Sequence, residues 1–372
     1  MISVFGSSVG GEELENVSKC IQSQWLGFGK NVELFEDKFK LKYDLKHFAM
    51  VDSGSNALFM AVTLLNLPKN SEIILPSFTW VSCAQAVILA GHIPVFCDVD
   101  IDTMNVRAID IEKQITGKTK AIMIVDYAGL PVESDVISQL GYPIIEDAAH
   151  AVHSVYKGKT CGALADVAIY SFDAVKNLTT GEGGGITSLN KEWIKKAKVL
   201  RYCGIGKSGF EAASTSANKQ KWWEYNIEAP FIKMLPTNMA AAIGLAQIDK
   251  IDKMQEIRKN IWEIYQNEFN NIEWINTPVN ALIEDRHSYF TYCIRVPKRD
   301  RLAHYLLENG IYSTLRYHPL HMNKIYKQMN KQLINCEKLN KEALNIPIHP
   351  RLTENEVTKI VDTIKSFEKK IN

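Results

Sequence analysis

The sequence predicts an α/β protein in which a mostly parallel central sheet, covered by helices, forms a large domain, and a smaller C-terminal α+β domain follows. Three observations predict it. Short apolar runs recur with helical segments between them: Glu72-Ile-Ile-Leu-Pro, Ile93-Pro-Val-Phe-Cys, Ala121-Ile-Met-Ile-Val, Tyr142-Pro-Ile-Ile-Glu and Val167-Ala-Ile-Tyr-Ser-Phe. Runs that are apolar throughout belong to strands buried on both faces, and the alternation with helices makes the sheet parallel. At 372 residues the chain is long for one core, and beyond about residue 255 the pattern becomes helix, strand, helix, helix. The expected domains are therefore residues 1–254 and 255–372.

In chain order, Leu14, Val17 and Ile21 recur at helical spacing over residues 11–24, and Val32, Phe35 and Phe39 do so over 31–43. The five strands and their helices follow. Ala168 to Gly185 places one lysine, Lys176, in a polar, glycine-rich loop between two strand-like runs. Residues 201–233 read as a long charged and aromatic excursion that includes Lys221-Trp-Trp-Glu-Tyr-Asn, and its two tryptophans favour a contact surface. A helix is expected from Asn238 into Lys253, then a strand near Tyr289–Val296 and a helix after Arg301. Thr353 and Glu356 fit a capping box at the start of a last helix carrying Val357, Ile360, Val361 and Ile364.

The bulk numbers exclude several classes of partner. With 43 basic and 42 acidic residues, no net charge draws the protein to nucleic acid or an anionic membrane. No run reaches the ~18 apolar residues of a membrane span, and the first residues do not resemble a signal peptide, so a cytoplasmic location is expected. The seven cysteines lie singly, which suits reduced thiols.

The chemistry-bearing residues fall at strand ends, where ligands of parallel sheets sit. Ser53-Gly54-Ser55-Asn56 precedes a helix-forming segment; amides at a helix start bind phosphate, although a plain N-cap explains the same residues. Trp80 follows a strand and can serve as a platform for a flat ring, or as core. Asp147 closes an apolar run, so as a buried acid it needs a partner. His150 is expected beside a cofactor ring and His321 near the substrate. The H-x-x-H pairs His150/His153 and His318/His321 lack an evident acidic third ligand, so no metal is expected. A phosphate cradle, an aromatic platform, a carboxylate and a lysine, in that order, are the parts needed to hold pyridoxal 5'-phosphate as a Schiff base.

With these residues in place, the chain resembles the DegT/DnrJ/EryC1/StrS family of sugar aminotransferases, within fold type I of the pyridoxal phosphate enzymes. The likeness runs from Gly10-Gly-Glu-Glu through Ser53-Gly-Ser-Asn-Ala-Leu, Pro76-Ser-Phe-Thr-Trp, Glu146-Asp-Ala-Ala-His and Ser171-Phe-x-x-x-Lys176-Asn to Pro319-Leu-His and His349-Pro-Arg-Leu-Thr. The resemblance implies that Lys176 forms the Schiff base, that Asp147 pairs with the pyridine nitrogen and that Trp80 stacks on the ring. It also implies that Ser171, with the Gly54-Ser55-Asn56 helix start, holds the phosphate. A homodimer with active sites at the subunit interface and L-glutamate as amino donor, with pyridoxamine phosphate as the intermediate form, are implied as well. Two positions depart from the family pattern. Leu235 stands where an asparagine usually reaches the neighbouring subunit's phosphate, leaving Lys233 as the candidate for that contact. Cys203 stands where a histidine is common.

The function expected is transfer of an amino group from glutamate to a keto carbon of a nucleotide-linked deoxysugar, a 4-keto-6-deoxyhexose, for polysaccharide or glycan biosynthesis. Arg316, Tyr317, His318 and His321, with Arg201 and the 205–228 excursion, are the candidates for the sugar nucleotide. Other readings at this level are a 3-keto sugar, a cyclitol ketone or a small phosphorylated ketone as acceptor, a pyridoxamine-dependent sugar dehydratase, whose branch replaces the lysine with histidine, and a non-catalytic regulatory relative.

Overall fold

The protein is described by a computed structural model covering residues 1–206, 223–329 and 332–370. Seven strands form the central sheet: β1 (Phe48–Val51), β2 (Glu72–Pro76), β3 (Ile93–Cys97), β4 (Thr119–Val125), β5 (Ile144–Asp147) and, after a short hairpin of β6 (Val155–Tyr156) and β7 (Lys159–Thr160), β8 (Val167–Ser171) and β9 (Gly184–Thr187). Their order is β1-β9-β8-β5-β4-β2-β3. The run β8-β5-β4-β2-β3 is parallel; β9 runs against both β8 and β1. The sheet is thus mostly parallel, as its apolar runs predict. The antiparallel β9 turns the chain back immediately after the lysine loop, which holds that loop at the carboxyl ends of β5 and β8.

The helices α1 (Gly11–Gln22), α2 (Lys30–Lys42), α3 (Gly54–Leu64), α4 (Val81–Leu89), α5 (Ala108–Glu112), α6 (Ser134–Ser138) and α7 (Lys191–Leu200) connect or flank these strands. One core packs the sheet against α3 and α4 around Leu58, Ile74, Val87 and Ile124. A second is aromatic: Phe35 and Phe39 of α2 meet Phe48, Tyr170 and Phe172 with ring centres 4.7–6.5 Å apart.

Helix α1 differs from its expected orientation. Its apolar side chains Leu14 and Ile21 are exposed, while Glu13 and Cys20 are buried. The inward face is polar because it docks on the long helix α8 (Asn238–Phe269), where Glu13 accepts from Lys250 at 2.6 Å and Gln247 at 2.7 Å.

Helix α8 does not stop near Lys253. It continues to Phe269, so the 254/255 position falls inside one 32-residue helix that no proline interrupts. From Ile261 onward its buried side chains Trp262, Tyr265 and Phe269 belong to a separate core with Tyr292, Leu302 and Ile360. The remaining elements are β10 (Tyr292–Arg295), α9 (Arg299–Glu308), α10 (Ile334–Glu342), β11 (Ala343–Ile346) and α11 (Glu354–Ser366), and β10 pairs antiparallel with β11. The capping box holds: Thr353 accepts the amide of Glu356, whose carboxylate accepts the amide of Thr353. Arg258 of α8 is buried and donates to the carbonyls of Phe290 and Ile348, tying the helix to the segment that enters β10. No helix among the described residues is long and apolar enough to cross a membrane.

Candidate active site

At the carboxyl ends of β5 and β8 lies a cavity of about 280 Å³, and the residues around it come from seven stretches of chain. Ser53 is the N-cap of α3, its hydroxyl accepting from the amide of Asn56. The cap is therefore real, and it leaves the next two amides, Gly54 and Ser55, with no carbonyl one turn back to receive them. Both residues line the cavity. A Cβ on Gly54 would lie 2.8 Å from Cβ of Ser171, so only glycine lets the helix start sit against the end of β8. The side chain of Asn56 turns away to donate to Asp52 at 2.8 Å and does not line the cavity. Its expected contact with a cofactor is corrected to the backbone of the turn it closes.

Asp147, the last residue of β5, is buried in the cavity. One carboxylate oxygen accepts the amide of Ala149 at 3.0 Å and the other accepts from the thiol of Cys83 at 3.2 Å. Burial raises its pKa, opposed by these two donors and by Lys176. Lys176 lines the same cavity, its side-chain nitrogen 4.9 Å from the ring centre of Phe290. Burial lowers its pKa to about 7; the charge of Arg316 acts in the same direction, and Asp147 and Asp173 act against it. At neutral pH a large fraction of this amine is therefore unprotonated, as a nucleophile and proton carrier must be. Trp80, half exposed, forms one wall, 6.1 Å from Tyr317.

His150 shares a 2.8 Å hydrogen bond with the Tyr317 hydroxyl through Nε2 and packs 4.1 Å from Phe290. Burial, with the charges of Lys176 and Arg316, holds it well below the ordinary histidine range, so it is neutral. Burial pushes Tyr317 up to about 12. Behind Asp147, Asp126, Glu146 and Cys161 form a buried group whose ligand atoms lie within 4.8 Å of one another. Burial raises Asp126 to about 7, and burial with the charge of Asp126 raises Glu146 well above the carboxylate range, so the two carboxyls hold a proton between them at neutral pH.

Other expected residues lie elsewhere. Arg201 does not face the cavity: it is buried and paired with Glu36, donating also to the carbonyl of Met50, and its role is corrected to a structural one. The acid that claims it comes from α2, far away in sequence. His321 lies behind the cavity wall, its Nδ1 2.6 Å from the Ser77 hydroxyl, and does not line the cavity. Its expected place at the substrate is corrected to one that buttresses the loop after β2. His318 points to Asn340 and His153 packs against Tyr43, so neither H-x-x-H pair gathers two ligands at one point. Lys233 is exposed and outside the cavity. Trp222 and residues 207–222 of the excursion lie outside the described residues. Sequence reasoning missed Phe5, Cys83, Phe290 and Thr314. Of these only Cys83 carries a signal, on the first turn of α4 and four residues after Thr79, which precedes that helix; their side chains meet at 3.3 Å.

A buried acid, a depressed lysine, an aromatic wall and a glycine-built cradle with two unclaimed amides fit pyridoxal 5'-phosphate in shape and donor chemistry. The comparisons agree. The chain is 34% identical to dTDP-4-dehydro-2,3,6-trideoxy-D-glucose 4-aminotransferase of Saccharopolyspora spinosa, over 97% of this chain and 95% of that protein. Its fold superposes on the crystal structure of the aminotransferase TlmJ from Streptoalloteichus hindustanus with a TM-score of 0.94, at 30% identity and covering all of both chains. It also superposes on the PMP form of Spr1654 from Streptococcus pneumoniae with a TM-score of 0.93, at 26% identity and again covering both chains fully. The DegT/DnrJ/EryC1/StrS aminotransferase family profile matches residues 7–365, so the chain whose Lys176 and Asp147 both line this cavity belongs to that family of pyridoxal phosphate-dependent transaminases.

Proposed function

We propose that the chain transfers the amino group of L-glutamate to C4 of a nucleoside-diphosphate-linked 4-keto-6-deoxyhexose, acting in the cytoplasm as a homodimer in the assembly of a polysaccharide or glycan. The observation that carries the acceptor is the near full-length likeness to a relative named as a 4-aminotransferase of a dTDP-linked 4-keto sugar, joined to the cavity of this chain. Supporting it, a second hollow shares Thr79, Trp80, Arg316 and Tyr317 with the cavity and continues past Gln85 and Asn323, which suits a ligand longer than an amino acid.

When bound, pyridoxal phosphate supplies an electron sink for the carbon that loses a proton. In this reading Lys176 anchors the cofactor and, once released, carries the proton to and from that carbon. Asp147 holds the ring nitrogen, Trp80 covers the ring and His150 flanks it. The amides of Gly54 and Ser55 and the hydroxyl of Ser171 receive the phosphate. Leu14, Ile21, Trp25 and Leu26 are exposed apolar side chains on or just after α1, a surface that supports the homodimer, with Lys233 offered to the partner's cofactor phosphate.

The test is spectroscopic. The purified holoenzyme should bleach with L-glutamate and recover with 2-oxoglutarate, and a dTDP-linked 4-keto-6-deoxyglucose should restore the colour while gaining an amine at C4. Borohydride should fix the cofactor to Lys176, and Lys176→Ala should fold yet fail at multiple turnover. Recovery with keto acids alone would remove the sugar assignment, and fixation at another lysine would remove the site.

A further inference from the structure

Asp147 is gripped at both oxygens by donors that the proposed chemistry does not use. One oxygen accepts the amide of Ala149 at 3.0 Å, and the other accepts from the thiol of Cys83 at 3.2 Å. Cys83 is wholly buried and does not itself line the cavity, so it reaches a ligand only through Asp147. Its sulfur also lies 3.3 Å from the Thr79 hydroxyl. The directions of these bonds follow from counting protons. A carboxylate only accepts, and a thiol has one proton to give. That proton goes to Asp147, so the Thr79 hydroxyl donates to the sulfur. Burial and the charge of Asp147 hold the Cys83 thiol well above its ordinary range, so it stays protonated and acts as a fixed donor, with no nucleophilic character.

Resting on the reading of Asp147 as the partner of the cofactor's ring nitrogen, we infer that Cys83 is a positioning residue, which orients the Asp147 carboxylate and sets how strongly it holds the proton of that nitrogen. Two donors, one on each oxygen, stop the carboxylate from turning about its own bond, so it meets a flat ring at one angle. Every donor to the charged form also lowers the carboxylate's affinity for a proton. A hydroxyl at this position would lower it strongly. A thiol is a weak donor, so it fixes the orientation at a small loss of basicity. The titratable groups that feel the charge of Asp147 are Lys176 and Tyr317 at the cavity, Asp126, Glu146 and Cys83 itself, and Arg316 stands in the cavity wall. Replacing a protonated thiol removes no charge from this set, so a shift in the titration of Asp147 reports the donor.

The probe is pyridoxamine phosphate, which needs no bond to Lys176, and the reading is its dissociation constant against pH, by equilibrium dialysis with the full-length apoenzyme. In the parent, affinity should fall on the acid side as Asp147 takes up a proton, and in Asp147→Asn that limb should be lost; this step tests the role of Asp147 on its own. Cys83→Ala deletes the donor, so the Asp147 carboxylate becomes more basic and the acid midpoint should move up by about half a pH unit or more. Cys83→Ser supplies a stronger donor and should bring the midpoint to the parental value or below it. A packing role alone would weaken binding equally at every pH and leave the midpoint in place. Raman spectra give a second measurement on the same proteins. The S–H stretching band lost on either substitution at Cys83 should lie below the free-thiol frequency in the parent and rise toward it in Asp147→Ala, whose side chain accepts nothing. The inference is overturned if Cys83→Ala keeps the parental midpoint, if the Ala and Ser variants shift alike, or if the Cys83 band sits at the free-thiol frequency.

Discussion

Replacing Gly54 by alanine tests the phosphate cradle without touching a titratable group. The added Cβ would meet Ser171 at 2.8 Å from its Cβ, 3.0 Å from its Oγ and 3.3 Å from its Cα. Carbon atoms in contact need about 3.5–4.0 Å, so the overlap approaches 1 Å. Ser171 cannot retreat, because it ends β8 in register with Gly184, and Gly184 itself sits so tightly on Ser53 that its own Cβ would come within 2.4 Å of that residue's backbone. The start of α3 must therefore lift. Overpacking of this kind costs about 1–3 kcal/mol. Because the two amides at stake face the ligand, much of that strain should appear in cofactor affinity, as a rise in the dissociation constant of about 5- to 150-fold. Equilibrium dialysis of pyridoxal phosphate against the apoenzyme measures it, with thermal unfolding of the apoenzyme as the companion reading. A variant that bound cofactor within twofold of the parent, at an unchanged thermal midpoint, would refute the claim that this helix start is the cradle.

Three more outcomes follow from the site. In the apoenzyme the Lys176 amine should titrate near 7, against 10.5 for an ordinary lysine, so its reductive methylation, followed by mass on the Lys176 peptide, should be slow below that pH where the amine is protonated and reach a plateau above it. A midpoint above 9 would contradict the burial and the Arg316 charge that lower it. Asp147→Asn should keep the cofactor but slow turnover on the order of 10²-fold, since an amide cannot hold the ring nitrogen protonated and ~3 kcal/mol of electrostatic stabilisation goes with it; equal turnover would return Asp147 to a structural role. Arg201→Met should cost about 3 kcal/mol of stability by stranding the buried Glu36 with Lys198 alone, while half-saturating concentrations of both substrates stay at parental values well below the unfolding temperature. A changed substrate affinity at unchanged stability would return Arg201 to the substrate site.

The sequence by itself determined the features that depend on neighbours in the chain. Five strands could be read because each is a run of apolar residues long enough to be buried on both faces. The cap at Thr353 could be read because both of its partners lie within one turn. That the glycine-rich helix start, Trp80, Asp147 and Lys176 line one cavity could be read because each follows a strand or opens a helix, and strand ends converge in any parallel sheet. What only the tertiary structure decided depends on contacts between residues distant in sequence. Strands β1 and β9 are four residues each, and β9 begins with two glycines, so neither carries a periodicity, and their pairing supplies it. The apolar face of α1 points outward because Glu13 is claimed by Lys250 and Gln247, more than 230 positions away. Arg201 reads locally as a loop cation, and it became structural because Glu36 of α2 is buried beneath it. Phe5 and Phe290 read as ordinary apolar residues, and they became the walls of Arg316 only when the first residues and the approach to β10 met over the cavity. Local pattern sets which face of an element is apolar, but burial, counter-charge and pKa depend on what packs against that face, and that partner is chosen by the fold.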